Sequence, residues 1–234
     1  MDKITVIVNT FDKGYGKRTI LARDTIEALV KHLRYPELNW IIADNGSPKH
    51  EEHTNIITEP LIDIDHVVLN VQHGGVGLAK NEALTLAFET SPYVFITEDD
   101  WRLDETLDLE SHLEVMKGDP AIGMIRFGYL GGEMLAKYTD YGAFRTYWTL
   151  IPDSGLYVYS GQVSLRNQLF YDKVGWHSPG VEAGQEELDM CYRYNALKEN
   201  APKILWPAQY GTVLNHGPFK NTGLGDSLNA EPVR

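Results

Sequence analysis

Cysteine is all but missing from this chain: Cys191 is the only one in 234 residues. A lone thiol excludes an internal disulfide framework and any zinc site built on several thiolates. Long apolar runs are missing as well, and none approaches the roughly 20 residues that span a bilayer. No apolar leader precedes the strand-like run that begins at Ile4, so a signal peptide is not expected and the cytoplasm is the expected location. Basic residues are few, 21 Lys and Arg against 33 Asp and Glu, giving a formal charge of −12. Phosphate backbones are held by clustered Lys and Arg, so nucleic acid is not the favoured partner. The histidines offer no HExxH or HxxxH spacing, and there is no GxSxG elbow, which leaves zinc hydrolases and α/β-hydrolases unsupported. Gly14-Tyr15-Gly16-Lys17 lacks the spacer of a Walker A loop. Gly75-Val76-Gly77 runs into Lys80, where a dinucleotide fingerprint needs Gly or Ala. Repeats, low-complexity tracts and an internal linker are absent too, so a single domain with two halves is expected.

What is present has a clear order. Ile4–Asn9, Trp40–Ala43, His66–Asn70 and Tyr93–Thr97 are short, apolar and β-branched, the pattern of buried strands. Between them, Thr19–Leu33 and Leu78–Phe88 carry helical spacing. Continuously apolar strands alternating with helices predict an α/β fold: a mostly parallel sheet flanked by helices. After a helix at about Leu107–Met116, residues 121–176 become rich in Tyr, Phe and Trp, and short strands with glycine turns are expected. A helix within Val181–Lys198 and a strand at Ile204–Trp206 follow. From Asn215 onward Gly, Pro and Asn dominate, and a flexible tail is expected. The division is therefore 1–105, a smaller mixed half at 106–214, and a tail at 215–234.

Polar residues collect just after the strands, the edge at which open α/β sheets bind ligands. Glu98-Asp99-Asp100 ends the fourth strand. Adjacent like charges repel, so a bound Mn²⁺ or Mg²⁺ explains their clustering better than a solvated acidic turn does at that edge. Glu186 and Glu187 open the late helix; being neighbours they face different ways, and one of them could serve as a general base toward a hydroxyl. Lys80, in the first turn of its helix, is free to meet a phosphate. His216, in Asn215-His-Gly-Pro218, is the histidine to consider as a late metal ligand.

Taken in order, these segments resemble the GT-A glycosyltransferases, the broad family 2 group above all. Asn9-Thr10-Phe11-Asp12 is similar to that group's Pro-Thr-Tyr-Asn tetrad, and Asp44-Asn45-Gly46-Ser47 to its Asp-Asp-Gly-Ser turn. Gly75-Val-Gly-Leu-Ala79-Lys80-Asn81 resembles its Ala-Arg-Asn helix start, and Glu98-Asp99-Asp100 its Asp-x-Asp motif. Leu165 to Trp176 and Gly184 to Arg193 resemble its late Arg-x-x-Phe…Gly-Phe and Gly-x-Glu-Asp…Arg segments.

The resemblance implies a GT-A, Rossmann-like fold with a nucleotide-sugar half and an acceptor half. It implies a metal-dependent hexosyl- or pentosyltransferase that uses a nucleotide-sugar donor, a UDP-sugar foremost, and releases a nucleoside diphosphate, where a nucleotidyltransferase would release pyrophosphate. Thr10, Phe11 and Asp44 would hold the nucleoside, with Phe11 stacking on the base and Asp44 accepting from its ring N–H. Lys80 would approach the diphosphate, Glu98 and Asp99 would contact ribose and base-side groups, and Asp100 with His216 would hold the metal. Glu187 would deprotonate the acceptor in an inverting displacement, with Glu186 as its rival. The acceptor stays open between a glycan, a lipid-linked sugar and a modified DNA base. A nucleotidyltransferase on a similar fold and a non-catalytic sugar-nucleotide-binding module remain as alternatives.

Overall fold

Seven consecutive buried residues, Ile4–Thr10, form strand β1. A strand with no polar face has to be covered on both sides, which is why helices flank it. The computed structural model describes residues 2–14, 16–72, 74–128, 135–142, 145–161, 163–181, 183–210 and 219–222. β1 lies parallel to β3 (Leu38–Asp44) on one side and to β5 (Tyr93–Glu98) on the other, and β4 (His66–Asn70) extends the sheet beyond β3, also in parallel. Alternate residues of β1 feed two cores. Ile4, Val6 and Val8 pack with Ala22, Ile26 and Leu29 of α1 (Lys17–His32), while Ile7 packs with Ala83, Leu84 and Ala87 of α3 (Gly75–Thr90).

Beyond β5 the sheet becomes mixed. β11 (Ser164–Asn167) sits antiparallel between β5 and β8 (Ile122–Arg126), and β12 (Lys203–Pro207) runs parallel to β8. β10 (Thr146–Leu150) and β9 (Ala136–Asp140) finish that edge as an antiparallel pair, completing nine strands in the order β4-β3-β1-β5-β11-β8-β12-β10-β9. Two short pairs lie outside it: β2 (Leu33–Arg34) with β7 (Leu107–Asp108), and β6 (Trp101–Leu103) with β13 (Phe219–Asn221). Phe219 is buried, so this part of the stretch read as a tail is docked on the fold. Helices α4 (Leu109–Gly118), α5 (Gln168–Val174) and α6 (Ala183–Ala196) cover the second half.

The expected α/β architecture, parallel in its first half and mixed in its second, is what forms. Two helices were not foreseen. α2 (His50–Ile57) is polar on most of its surface and buries His53, Thr54 and Ile57, and α5 lies inside the aromatic stretch expected to be strands. The register of the central strands sets Thr10 beside Asp44 and Asn9 beside Glu98. Their carboxyl ends thus meet at one edge, the position at which such sheets bind ligands.

Candidate active site

The chain leaves β5 at Glu98 and turns through Asp99 and Asp100 into β6, and the three acids go three ways. Asp99 points inward and is 1% exposed. It accepts from the Thr10 hydroxyl at 2.9 Å and the Phe11 backbone N–H at 3.2 Å, and is ion-paired with Arg18. Burial pushes its pKa up to about 7, against the pull of Arg18. It is therefore a buried support of the β1 end and has no surface to offer a ribose. Asp100 is partly buried: its Oδ2 lies 3.4 Å from Arg18 Nη1, and its Oδ1 is buried and takes no bond among the described residues.

That orphaned oxygen is the structural test of a metal here. A hard divalent cation takes carboxylate oxygen and is commonly completed by substrate phosphates and water, so a carboxylate with one oxygen left unbonded among the described residues fits. Among the described residues no group of three His, Cys, Asp or Glu side chains converges. His216 lies outside the described residues.

Lys80 departs from its expected place. Its side chain is 3% exposed, with Nζ 3.2 Å from Glu98 Oε1 and 3.4 Å from Glu186 Oε2. Burial alone would lower the pKa of such an amine, but the two carboxylates hold it above the ordinary lysine value. Glu186 is 1% exposed and also bonds His177 Nδ1. Burial would raise its pKa, yet Lys80 and His177 outweigh that and hold it down at about 2. His177 itself is driven down to about 4 by burial. Glu186 is thus an ion-paired interior group, which a general base cannot be without first losing its partners.

This cluster fastens the two halves together. Asn81 donates to the His177 carbonyl at 2.8 Å and accepts from its N–H at 3.0 Å, and Gly180 N–H donates to the Gly74 carbonyl at 3.0 Å. Gly77 allows the contact, because a Cβ there would stand 2.2 Å from the Ser178 carbonyl oxygen. Gly77→Ala is expected to force the backbones apart and cost about 1–3 kcal/mol, to be measured by urea unfolding; an unchanged midpoint would show that the seam yields freely.

Glu187, one residue on, faces the other way. Its Oε1 accepts from the Ser160 hydroxyl at 2.8 Å and the Gly161 N–H at 2.7 Å; among the described residues Oε2 takes no bond. Arg126, buried behind this loop, donates to the carbonyls of Tyr157 and Val158 at 2.8 and 2.7 Å and so fixes the segment that fixes Glu187. A Cβ on Gly161 would lie 3.4 Å from Lys80 Nζ and 3.6 Å from Glu187 Oε1. Glu98 is within electrostatic reach of both Asp100 and Glu187. Lys80 thus ties the acidic turn to the start of α6 through Glu98 and Glu186.

Where β1 ends, Phe11 is half-buried. Thr10 is 3% exposed and lies between His53 and Asp99. Asp44 is 0% exposed. Its carboxylate accepts from Ser47 Oγ at 2.6 Å, from Ser47 N–H at 3.2 Å and from His50 Nδ1 at 2.6 Å, so it closes a turn. Arg18, His50, His177, Ser160 and Gly161 were not singled out from sequence. Their partners lie 27 to 82 residues away for Ser160 and Arg18, and no local pattern marks them.

No protein-family model matches the chain, and no curated protein matches it in sequence. Solved structures do match. S. aureus TarS 1–349 in complex with UDP superposes with a TM-score of 0.58 at 17% identity, covering 87% of this chain and 57% of that one. The mannosyltransferase PcManGT from Pyrobaculum calidifontis, in complex with GDP-Man and Mn²⁺, gives 0.57 at 16% identity, covering 88% and 55%. GalNAc-T7 with UDP, GalNAc and Mn²⁺ gives 0.54 at 14%, covering 88% and 42%. The chain spans little more than half the length of the first two and less than half of the third. None of its described helices is long and apolar enough to cross a membrane.

Proposed function

The chain has the GT-A fold, and from that premise we propose that it transfers a hexosyl or pentosyl group from a nucleoside-diphosphate sugar to an acceptor hydroxyl, with inversion. The observation that carries this reading is the ion-paired link Glu98–Lys80–Glu186, which ties the turn ending in Asp100 to the helix start that bears Glu187.

Asp100 would hold the cation, which when bound offsets the charge that grows on the departing diphosphate. Phe11 offers its face to the base. Glu187 Oε2 takes the proton of the acceptor hydroxyl as its oxygen bonds to the anomeric carbon, while the bond from that carbon to the diphosphate oxygen breaks and its electron pair leaves with the nucleoside diphosphate. Ser160 and Gly161, both donating to Oε1, orient the carboxylate for that transfer. Lys80 keeps the strand bearing the acids and the helix bearing the base at a fixed separation.

A screen of UDP- and GDP-sugars by thermal unfolding tests the reading. A donor at about 100 times its Kd stabilises by about 2.7 kcal/mol. The expected shift requires Mn²⁺, disappears with chelator and is lost in Asp100→Ala, whose own melting point stays near that of the parent. Turnover with acceptor should release a nucleoside diphosphate; release of pyrophosphate from a nucleoside triphosphate would instead indicate nucleotidyl transfer.

A further inference from the structure

Lys80, the cation expected at the diphosphate, is enclosed between two carboxylates. A more accessible cation stands at the same acidic turn. Arg18, in the first turn of α1, has a side chain 30% exposed; Nη1 lies 3.4 Å from Asp100 Oδ2 and Nη2 is ion-paired with Asp99. We propose that Arg18 is a diphosphate ligand of the donor, and that its fork across Asp99 and Asp100 is a resting position it leaves when the diphosphate arrives. This rests on the donor reading above.

The chemistry of both ends supports it. Guanidinium presents parallel N–H donors that suit carboxylates and phosphates alike, whereas an ammonium acts as a point charge. A diphosphate drawn to a cation on Asp100 comes up beside this guanidinium, because Nη1 is already on the same carboxylate. Asp99 tolerates the loss of Arg18 better than a lone buried acid would, since Thr10 Oγ1 and Phe11 N–H still donate to it. Asp100 Oδ2, held by Arg18 at 3.4 Å, is left to the incoming complex. Arg18 thereby answers the negative charge of the acidic turn before the donor binds and that of the diphosphate afterwards.

The role gives effects of opposite sign, which a structural support would not. Arg18→Gln removes a positive charge beside Asp100, so Mn²⁺ alone, followed by the electron paramagnetic resonance signal of the free ion, is expected to bind at least as tightly as to the parent. UDP and GDP in the presence of Mn²⁺, followed by calorimetry, are expected to bind about tenfold more weakly or worse. Undiminished UDP and GDP affinity overturns the proposal, as does a loss of Mn²⁺ affinity by the same factor, which would make Arg18 only a prop for the carboxylates. If Arg18→Gln does not fold, Arg18→Lys carries the test: it keeps the charge and loses the fork, so a weakening of about threefold is expected and unchanged affinity overturns it. A parent protein that binds neither UDP nor GDP with Mn²⁺ removes the donor reading itself, and the proposal with it.

Discussion

Glu187→Gln is expected to slow sugar transfer by about 10²–10⁴-fold, the usual contribution of a positioned general base, while donor affinity and melting temperature stay close to the parent values. The amide keeps an oxygen where Ser160 and Gly161 donate, so the loop and helix remain in place and only the capacity to take a proton is lost. Glu187→Asp tests position separately: one methylene shorter, it withdraws from those two donors and should retain part of the rate. Single-turnover measurement of nucleoside diphosphate release, beside a donor titration, reads both variants. Full activity in Glu187→Gln would reject this residue as the base.

Lys80→Met has the largest expected effect on stability. Glu186 is 1% exposed, and losing its ammonium partner leaves a buried carboxylate poorly compensated, which typically costs about 3–5 kcal/mol. In a chain of this size that lowers the melting temperature by on the order of 10 °C. The pH dependence identifies the cause. In the parent, Glu186 sits at about 2 against an ordinary 4.5, so the folded state holds its charged form more firmly than the unfolded state does. That contribution is complete above pH 4.5 and is lost as pH falls toward 2. Without Lys80, burial dominates and raises the pKa of Glu186, so the deficit of the variant is greatest near neutrality and narrows on acidification. Urea unfolding at pH 7, 5 and 4 measures it, and a deficit independent of pH would assign the loss to packing. A second substitution, Glu186→Met, should recover part of the stability, because a buried pair replaced whole by apolar groups is often neutral.

These expectations follow from contacts that sequence reading reached only in part. The apolar runs of β1, β3, β4 and β5 announce themselves, because strands covered on both faces have no polar positions to interrupt them. Strand ends carrying Asp44 and Glu98–Asp100 locate the binding edge for the same reason. Direction is what a sequence does not carry. Asp99 and Asp100 are neighbours, yet only Asp99 turns in toward Thr10; Glu186 and Glu187 divide in the same manner. Lys80 reads as a free cation because Glu186 lies 106 residues further along. The bond between Asp44 and His50 goes unread because His50 belongs to a helix too polar to be foreseen. The aromatic stretch misleads differently: Phe170 and Tyr171 are buried on α5, where large rings serve a helix as well as a strand.

The placement of β11 has a consequence for how the chain is made. It enters between β5 and β8 although it follows both in sequence, so during synthesis the outer hydrogen-bonding edge of β5 has no neighbour until Ser164–Asn167 has emerged. An apolar strand edge left open is a template for foreign pairing, and nascent chains fold from the amino terminus onward. Ribosome-bound intermediates halted between β8 and β11 are therefore expected to carry that edge open.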